Sequence, residues 1–105
     1  MELSFSTDSL KAKLCDKDLC YRELGEKRGR LLIGLLADFR TAFFAGEVPG
    51  GPTTISSVQG NYKLIWPFDI GCTLVTLTDG VTTSSWKDAY RIHIDYLVVD
   101  GSEAK

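Results

Sequence analysis

The sequence predicts an α+β fold with two layers, in which an N-terminal strand and two helices pack on one face of an antiparallel β-sheet. Between residues 16 and 44, apolar side chains recur at the spacing of an amphipathic helix. After Pro52 the chain consists of short runs of β-branched and aromatic residues, which are typical of strands. The stretch Arg91–Val99 alternates polar and apolar residues, as expected for a strand between a core and water.

The size and composition are those of one ordinary globular domain, which we assign to residues 1–105. The 105 residues are 44% hydrophobic and 25% charged, enough to bury a core without disulfides or metals. The three cysteines form no CxxC pair, so no disulfide framework, zinc site or other cofactor is expected. Residues 1–10 lack the basic segment of a secretory signal, and the longest apolar run, 31–37, is too short to span a bilayer. These features predict a cytoplasmic protein with no membrane partner.

The helical half follows a strand predicted at Leu3–Phe5. Ser6, Thr7 and Asp8 are each suitable N-caps for a short helix over 9–15. Asp16 or Asp18 can cap a second, longer helix that reaches about Phe44, with a possible break near Gly25. We expect tertiary packing to hold this helix, because each of its three glycines costs up to ~1 kcal/mol relative to alanine. Its predicted stripe comprises Leu24, Arg28, Leu31, Leu32, Leu35, Leu36, Phe39 and Phe43.

The second half is predicted to be four strands, over 53–58, 62–66, 72–78 and 90–99. Turns are predicted at 59–61, 68–71 and 79–80, and a loop anchored by Trp86 over 81–88. In the last strand, alternation assigns Ile92, Ile94, Tyr96 and Val98 to the core, and Arg91, His93 and Asp95 to the wet face.

Charge is distributed unevenly along the chain. The net charge is −2, yet residues 11–40 contain eight basic and five acidic side chains. This basic segment can contact RNA or an acidic partner, or it can be a solvated helix face balanced by Glu23 and Glu26. Its candidate binding residues are Arg22, Lys27, Arg28, Arg30 and Arg40.

Three segments resemble the RelE/ParE superfamily, and within it the HigB-like plasmid maintenance killer proteins. Residues 2–5 with 10–15 are similar to the opening strand and short helix of that family, and 22–25 with 35–42 to its second helix. The third segment pairs Asn61-Tyr62-Lys63-Leu64-Ile65-Trp66 with Trp86-Lys87-Asp88-Ala89-Tyr90-Arg91-Ile92, which resemble the family's "YRL" strand and following "W-S-K … R-I" strand.

The resemblance implies the toxin of a type II toxin–antitoxin pair, which acts at the ribosome as a metal-independent mRNA endoribonuclease. It also implies a cognate antitoxin of the helix-turn-helix, HigA-like kind. Lys63 takes the place of the arginine in the "YRL" strand. Lys63 and Arg91 would then bind the scissile phosphate, and His93 would act as general acid or base.

Two other hypotheses about function remain, because the chain departs from the family's pattern in two places. The family's basic strand before "YRL" is here the uncharged segment 53–60, and its Asp-Tyr-His ending is absent. The chain can therefore be a catalytically silent toxin-fold protein that binds an antitoxin-like or other protein, or a phage or plasmid accessory protein that shares only the fold.

Individual side chains also have more than one interpretation. His93 and Asp95 can form an acid–base pair or be ordinary surface residues, and Arg91 can form a surface salt bridge with Asp95 or Asp88. No nucleophile motif surrounds Ser84, Ser85 or Cys72.

Overall fold

The computed structural model describes residues 1–58, 61–78 and 85–104, and within them it is an α+β fold with a helical layer on a β-sheet. The helices are α1 (Asp8–Cys15), α2 (Lys17–Leu24) and α3 (Glu26–Thr41). The strands are β1 (Glu2–Phe5), β2 (Thr54–Val58), β3 (Asn61–Asp69), β4 (Cys72–Thr78), β5 (Arg91–Val99) and β6 (Ser102–Ala104). Short 3₁₀ turns cover Ala45–Glu47 and Trp86–Asp88. The turn predicted at 79–80, most of that at 59–61 and loop residues 81–84, including Ser84, lie outside the described residues.

The helix starts follow the local capping signals. The backbone N–H of Leu10 donates to Thr7 Oγ1 at 3.0 Å, which caps α1. Asp16 Oδ1 accepts from the N–H groups of Asp18 and Leu19 at 3.0 and 3.2 Å, which caps α2.

The predicted long second helix is two helices. The helix is interrupted at Gly25, whose φ of 87° is favourable only for glycine. α3 ends at Thr41, before the predicted limit of Phe44, and it buries Gly29, Leu32, Leu36 and Phe39. The predicted stripe was too wide, since Leu31 is 40% exposed and Phe43, beyond the helix, is 77% exposed.

The sheet has the strand order β1-β5-β4-β3-β2, with β6 also paired to β5. Strands β2 to β5 form an antiparallel meander, as predicted. β1 pairs with β5 in parallel, so the sheet is mixed and the prediction of a wholly antiparallel sheet was wrong. The helices and the meander separate β1 from β5 in sequence, which is the long connection that a parallel pair requires. β6, which was not predicted, pairs with the far end of β5.

The core lies between the helices and one face of the sheet. Trp66 and Phe39 are almost fully buried, and their ring centroids lie 4.8 Å apart in an edge-to-face arrangement. Trp66 Nε1–H donates to Thr76 Oγ1 at 2.9 Å, so the buried indole and the buried hydroxyl satisfy each other. Trp86 packs edge-on against Trp66 at 6.4 Å, in the anchoring role predicted for it.

A β-bulge in β5 changes which side chains face the core. Val75 of β4 is opposite Tyr96 and the next residue, Thr76, is opposite Ile94, so Asp95 is the extra residue of the bulge. Ile92 and Ile94 are buried, as predicted, but beyond the bulge it is Leu97 that is buried, at 2% exposed. Assigning Tyr96 and Val98 to the core was therefore wrong.

Candidate functional site

The sheet face opposite the helices carries a row of side chains that crosses five strands. Lys63 on β3 and His93 on β5 are both opposite Leu77 on the central β4. The row continues to Ser56 on β2 and Ser4 on β1. We call this surface the open face. It brings Lys63 and His93 to one side of the sheet, two strand spacings apart, so their Cα atoms are separated by about 10 Å across the strands.

His93 is held by a residue that sequence reasoning missed. Its Nδ1 lies 2.8 Å from Ser4 Oγ, a hydrogen bond between β5 and β1. The bond fixes the orientation of the ring and leaves Nε2 with no hydrogen-bond partner among residues 1–58, 61–78 and 85–104. The predicted partner, Asp95, does not pair with His93, because the bulge interrupts the alternation between them.

Arg91 lies at the margin of the open face and is already paired. Its Nε is 3.1 Å from Glu2 Oε2 of β1, and its guanidinium lies 5.3 Å from the centre of the Tyr90 ring. The carboxylate that it meets is thus neither Asp95 nor Asp88, the two partners considered from the sequence. Both side chains of the pair are more than half exposed, so it contributes little stability, but it does neutralise the cation.

Lys63 is the cation of the open face that remains without an acidic partner within the described part of the chain. Its Nζ lies 5.8 Å from the centre of the Tyr96 ring, a distance typical of a cation–π contact. Tyr96 reaches this face only because of the bulge. Lys63 therefore leans along the sheet away from Arg91, and the two cations do not converge on one point.

Two shallow pockets flank the Ser4–His93 pair. One, of about 230 Å³, is lined by Asn61, Leu77, Thr78 and His93. The other, of about 200 Å³, is lined by Glu2, Leu3, Ser4 and Arg91. Both are smaller than the roughly 300–1,000 Å³ of sites that enclose a whole small molecule.

The predicted basic cluster is not one surface of free cations. Arg28 forms a two-pronged ion pair with Asp100, at 2.9 and 3.0 Å, and its Nε is 3.9 Å from Asp69. Lys27 Nζ lies 3.8 Å from Asp69 as well. The Arg28 guanidinium lowers the pKa of the Asp100 carboxyl through its hydrogen bond and its charge. These contacts tie the start of α3 to the turns after β3 and β5, which is a structural role.

The other three basic residues of the cluster are exposed on the helical layer. Arg22 and Arg30 have no ion pair within the described ranges, and Arg40 donates to Cys15 Sγ at 3.8 Å. The helices lie on the opposite side of the sheet from Lys63 and His93. One RNA strand would have to wrap around the domain to touch both sets of residues.

The thiols do not form a reactive site. Cys20 and Cys72 are buried, and burial raises the pKa of each thiol, which disfavours the thiolate nucleophile. Cys15 is exposed. A nucleophilic role for Cys72 therefore has no support.

Comparisons of this chain with family models, with curated proteins and with solved structures found no match. Across the residues that the structure describes, no helix has both the length and the apolar character needed to cross a membrane. The geometry of the open face is therefore the basis on which a function can be inferred.

Proposed function

We propose that this domain is a RelE/HigB-like toxin whose open face cleaves RNA without a metal. The observation that carries the proposal is the row in which Lys63 and His93 flank Leu77, with the imidazole held by Ser4. An orienting hydrogen bond on one ring nitrogen is how proteins prepare a histidine for proton transfer at the other. The order of strand, helices and antiparallel meander also agrees with the fold that the sequence resemblance implies.

The chemistry assigned to the site is transesterification by the RNA itself. The ribose 2′-oxygen attacks the adjacent phosphorus, the bond to the 5′-oxygen breaks, and a 2′,3′-cyclic phosphate forms. His93 Nε2 removes the proton from the 2′-hydroxyl or delivers one to the leaving 5′-oxygen. Lys63 stabilises the negative charge that accumulates on the phosphoryl oxygens. Arg91 assists only after a phosphate displaces Glu2, so we expect it to contribute less than Lys63.

A second candidate is a catalytically silent toxin-fold protein that binds a protein partner, as an antitoxin does. It is favoured by the composition of the open face, where the partly exposed Ile65 and Leu77 lie between the polar groups. Arg91 is neutralised and the protein carries a net charge of −2, so phosphate binding has little electrostatic support. An amphipathic segment with an acidic residue near Lys63 would match this face better than a polyanion.

Expression in bacteria with and without a neighbouring helix-turn-helix gene tests the proposal. We expect growth arrest and mRNA cleavage, both relieved by the neighbouring antitoxin. Lys63→Ala and His93→Ala should each reduce cleavage by about 100-fold or more, the scale on which single electrostatic and proton-transfer groups act. Thr54→Ala, an exposed change on the same sheet face, is the matched control and should leave cleavage unchanged.

The outcomes separate the two candidates. A stable complex with the neighbouring protein, without toxicity or RNA cleavage, supports the silent protein and contradicts the enzyme. Cleavage that survives both Lys63→Ala and His93→Ala shows that the catalytic residues lie elsewhere.

A further inference from the structure

Within residues 1–58, 61–78 and 85–104, no strand pairs with the outer edge of β2, and β2 itself lacks the usual protection of an edge strand. β2 is the last strand of the sheet and pairs only with β3 among the described strands. Alternate residues of an edge strand direct their N–H and C=O groups away from the sheet, ready to pair with another strand. Proteins commonly block such edges with charges, prolines or bulges. β2 contains none of these in its sequence Thr-Ile-Ser-Ser-Val.

The opposite edge of the same sheet is built differently. It is divided between β1 and β6, which are four and three residues long, and each carries a glutamate. β2 has five residues and no charge. The β2 strand thus lacks the charge and the short length that protect the other edge.

We propose that β2 pairs antiparallel with β2 of a second copy of this chain, about a twofold axis at Ser56. In this register Ser56 is opposite its own copy, and Ile55 is opposite Ser57 of the other chain. The two sheets then join into one continuous sheet. This inference concerns assembly and stands whether or not the open face cleaves RNA.

The absence of charge is the first argument for a second copy as the partner. A twofold axis brings each residue near its own copy, so any charge close to the axis would meet a like charge and repel it. A quarter of the whole chain is charged, yet β2 is not. An edge that selects a different protein would be expected to carry charges complementary to that protein.

Ile55 provides the second argument. It is on the helix side of the sheet, opposite the fully buried Leu64, yet it is 45% exposed. In the proposed register the two copies of Ile55 are diagonal neighbours across the new strand pair. Diagonal positions are about 7–8 Å apart, within reach of long side chains. The dimer thus covers an exposed apolar side chain with its own copy and extends the core across the axis.

The expected dimer is weak, because one pair of five-residue strands buries much less than the roughly 1,600 Å² of a standard interface. Sedimentation velocity from about 1 μM to 1 mM should show the 11.6 kDa monomer giving way to a species of twice that mass. Ser56→Lys places two lysines opposite each other at the axis, with their Cβ atoms about 5 Å apart, and the like charges should weaken the dimer at least about tenfold. Ser102→Lys adds the same charge to exposed β6 on the other edge, and should leave the dimer unchanged.

Cross-linking tests the register directly. In a Cys15→Ser background, Ser56→Cys brings two thiols together at the axis and should give a disulfide-linked dimer under mild oxidation. Ser102→Cys in the same background should remain monomeric. Thermal unfolding establishes that each variant is folded.

Four results would overturn the proposal. One is a wild-type protein that stays monomeric up to about 1 mM. Another is a Ser56→Lys variant that associates as well as the wild type. The third is equal cross-linking of the two cysteine variants. Pairing of β2 with a strand from an unlike protein, while the chain alone stays monomeric, also contradicts a second copy as the partner.

Discussion

Two glycines in α3 should respond in opposite ways to the same substitution. A helical Gly→Ala change ordinarily stabilises a protein by about 0.5–1 kcal/mol, because the unfolded chain loses conformational freedom. At Gly34 a new Cβ meets nothing within 4 Å, so Gly34→Ala should give that gain in full. At Gly29 the Cβ would lie 2.6 Å from Tyr21 Cδ1 and 3.2 Å from Tyr21 Cα. The second contact is with the backbone of α2, so rotation of the tyrosine ring cannot relieve it and the two helices must move apart.

The cost of overpacking at Gly29 is obtained by comparing the two variants with each other. Helix propensity contributes equally to both, so the difference in their free energies of unfolding isolates the cost of overpacking, about 1–3 kcal/mol. Urea unfolding of the wild type and the two variants measures it, with unchanged m-values required for a valid comparison. For a domain of this size 1 kcal/mol corresponds to a shift of about 4–8 °C in Tm, so Gly34→Ala should melt above the wild type and Gly29→Ala below it. If Gly29→Ala stabilises the protein as much as Gly34→Ala does, then α2 does not approach α3 as closely at Gly29 as the structure shows.

Two further predictions concern buried polarity and pH. Thr76→Val keeps the shape of the side chain but leaves the buried Trp66 Nε1–H without its acceptor, so it should lower the free energy of unfolding by about 1–3 kcal/mol. Thr76→Ser, which keeps the hydroxyl, should cost less, and the reverse order in urea unfolding would contradict the hydrogen bond. The pKa of Asp100 is lowered below 3.8 by Arg28, so the ion pair stabilises the folded state above that pH and its contribution is lost as the pH falls through the folded-state pKa. Asp100→Asn should therefore melt below the wild type at about pH 6, with a gap that narrows below about pH 4, whereas a gap that widens in acid would refute the assignment.

Local chemistry was sufficient to predict most element types and several boundaries. Thr7 and Asp16 cap helices as their hydroxyl and carboxylate groups predict, and Gly25 marks the break between α2 and α3. The end of α3 could not be predicted from local signals, because a contact with a distant part of the chain lies there. The amino group of Met1 donates to the carbonyl oxygens of Phe39 and Ala42, a contact between distant parts of the chain.

The candidate site was predictable only where it depends on simple alternation. Alternation was enough to place Lys63 and His93 on one face. Ser4 could not be connected to His93, because that requires the parallel pairing of β1 with β5, and such pairing depends on how the whole chain folds back. The bulge leaves no signal in the alternating pattern, so Tyr96 was assigned to the wrong side.

The bulge at Asp95 also determines which sequence changes the strand can accept. Before the bulge the even-numbered side chains of β5 face the core, and after it the odd-numbered ones do. Apolar side chains are therefore suitable at both Ile94 and Leu97, which are three positions apart. Deleting Asp95 would remove the extra residue and leave Ile94, Tyr96 and Leu97 in strict alternation, each on the side of the sheet that it occupies now. Deleting Ile94 instead would move the acidic Asp95 into the buried position opposite Thr76. The strand should therefore accept the loss of one residue at the bulge far better than the same loss one position earlier.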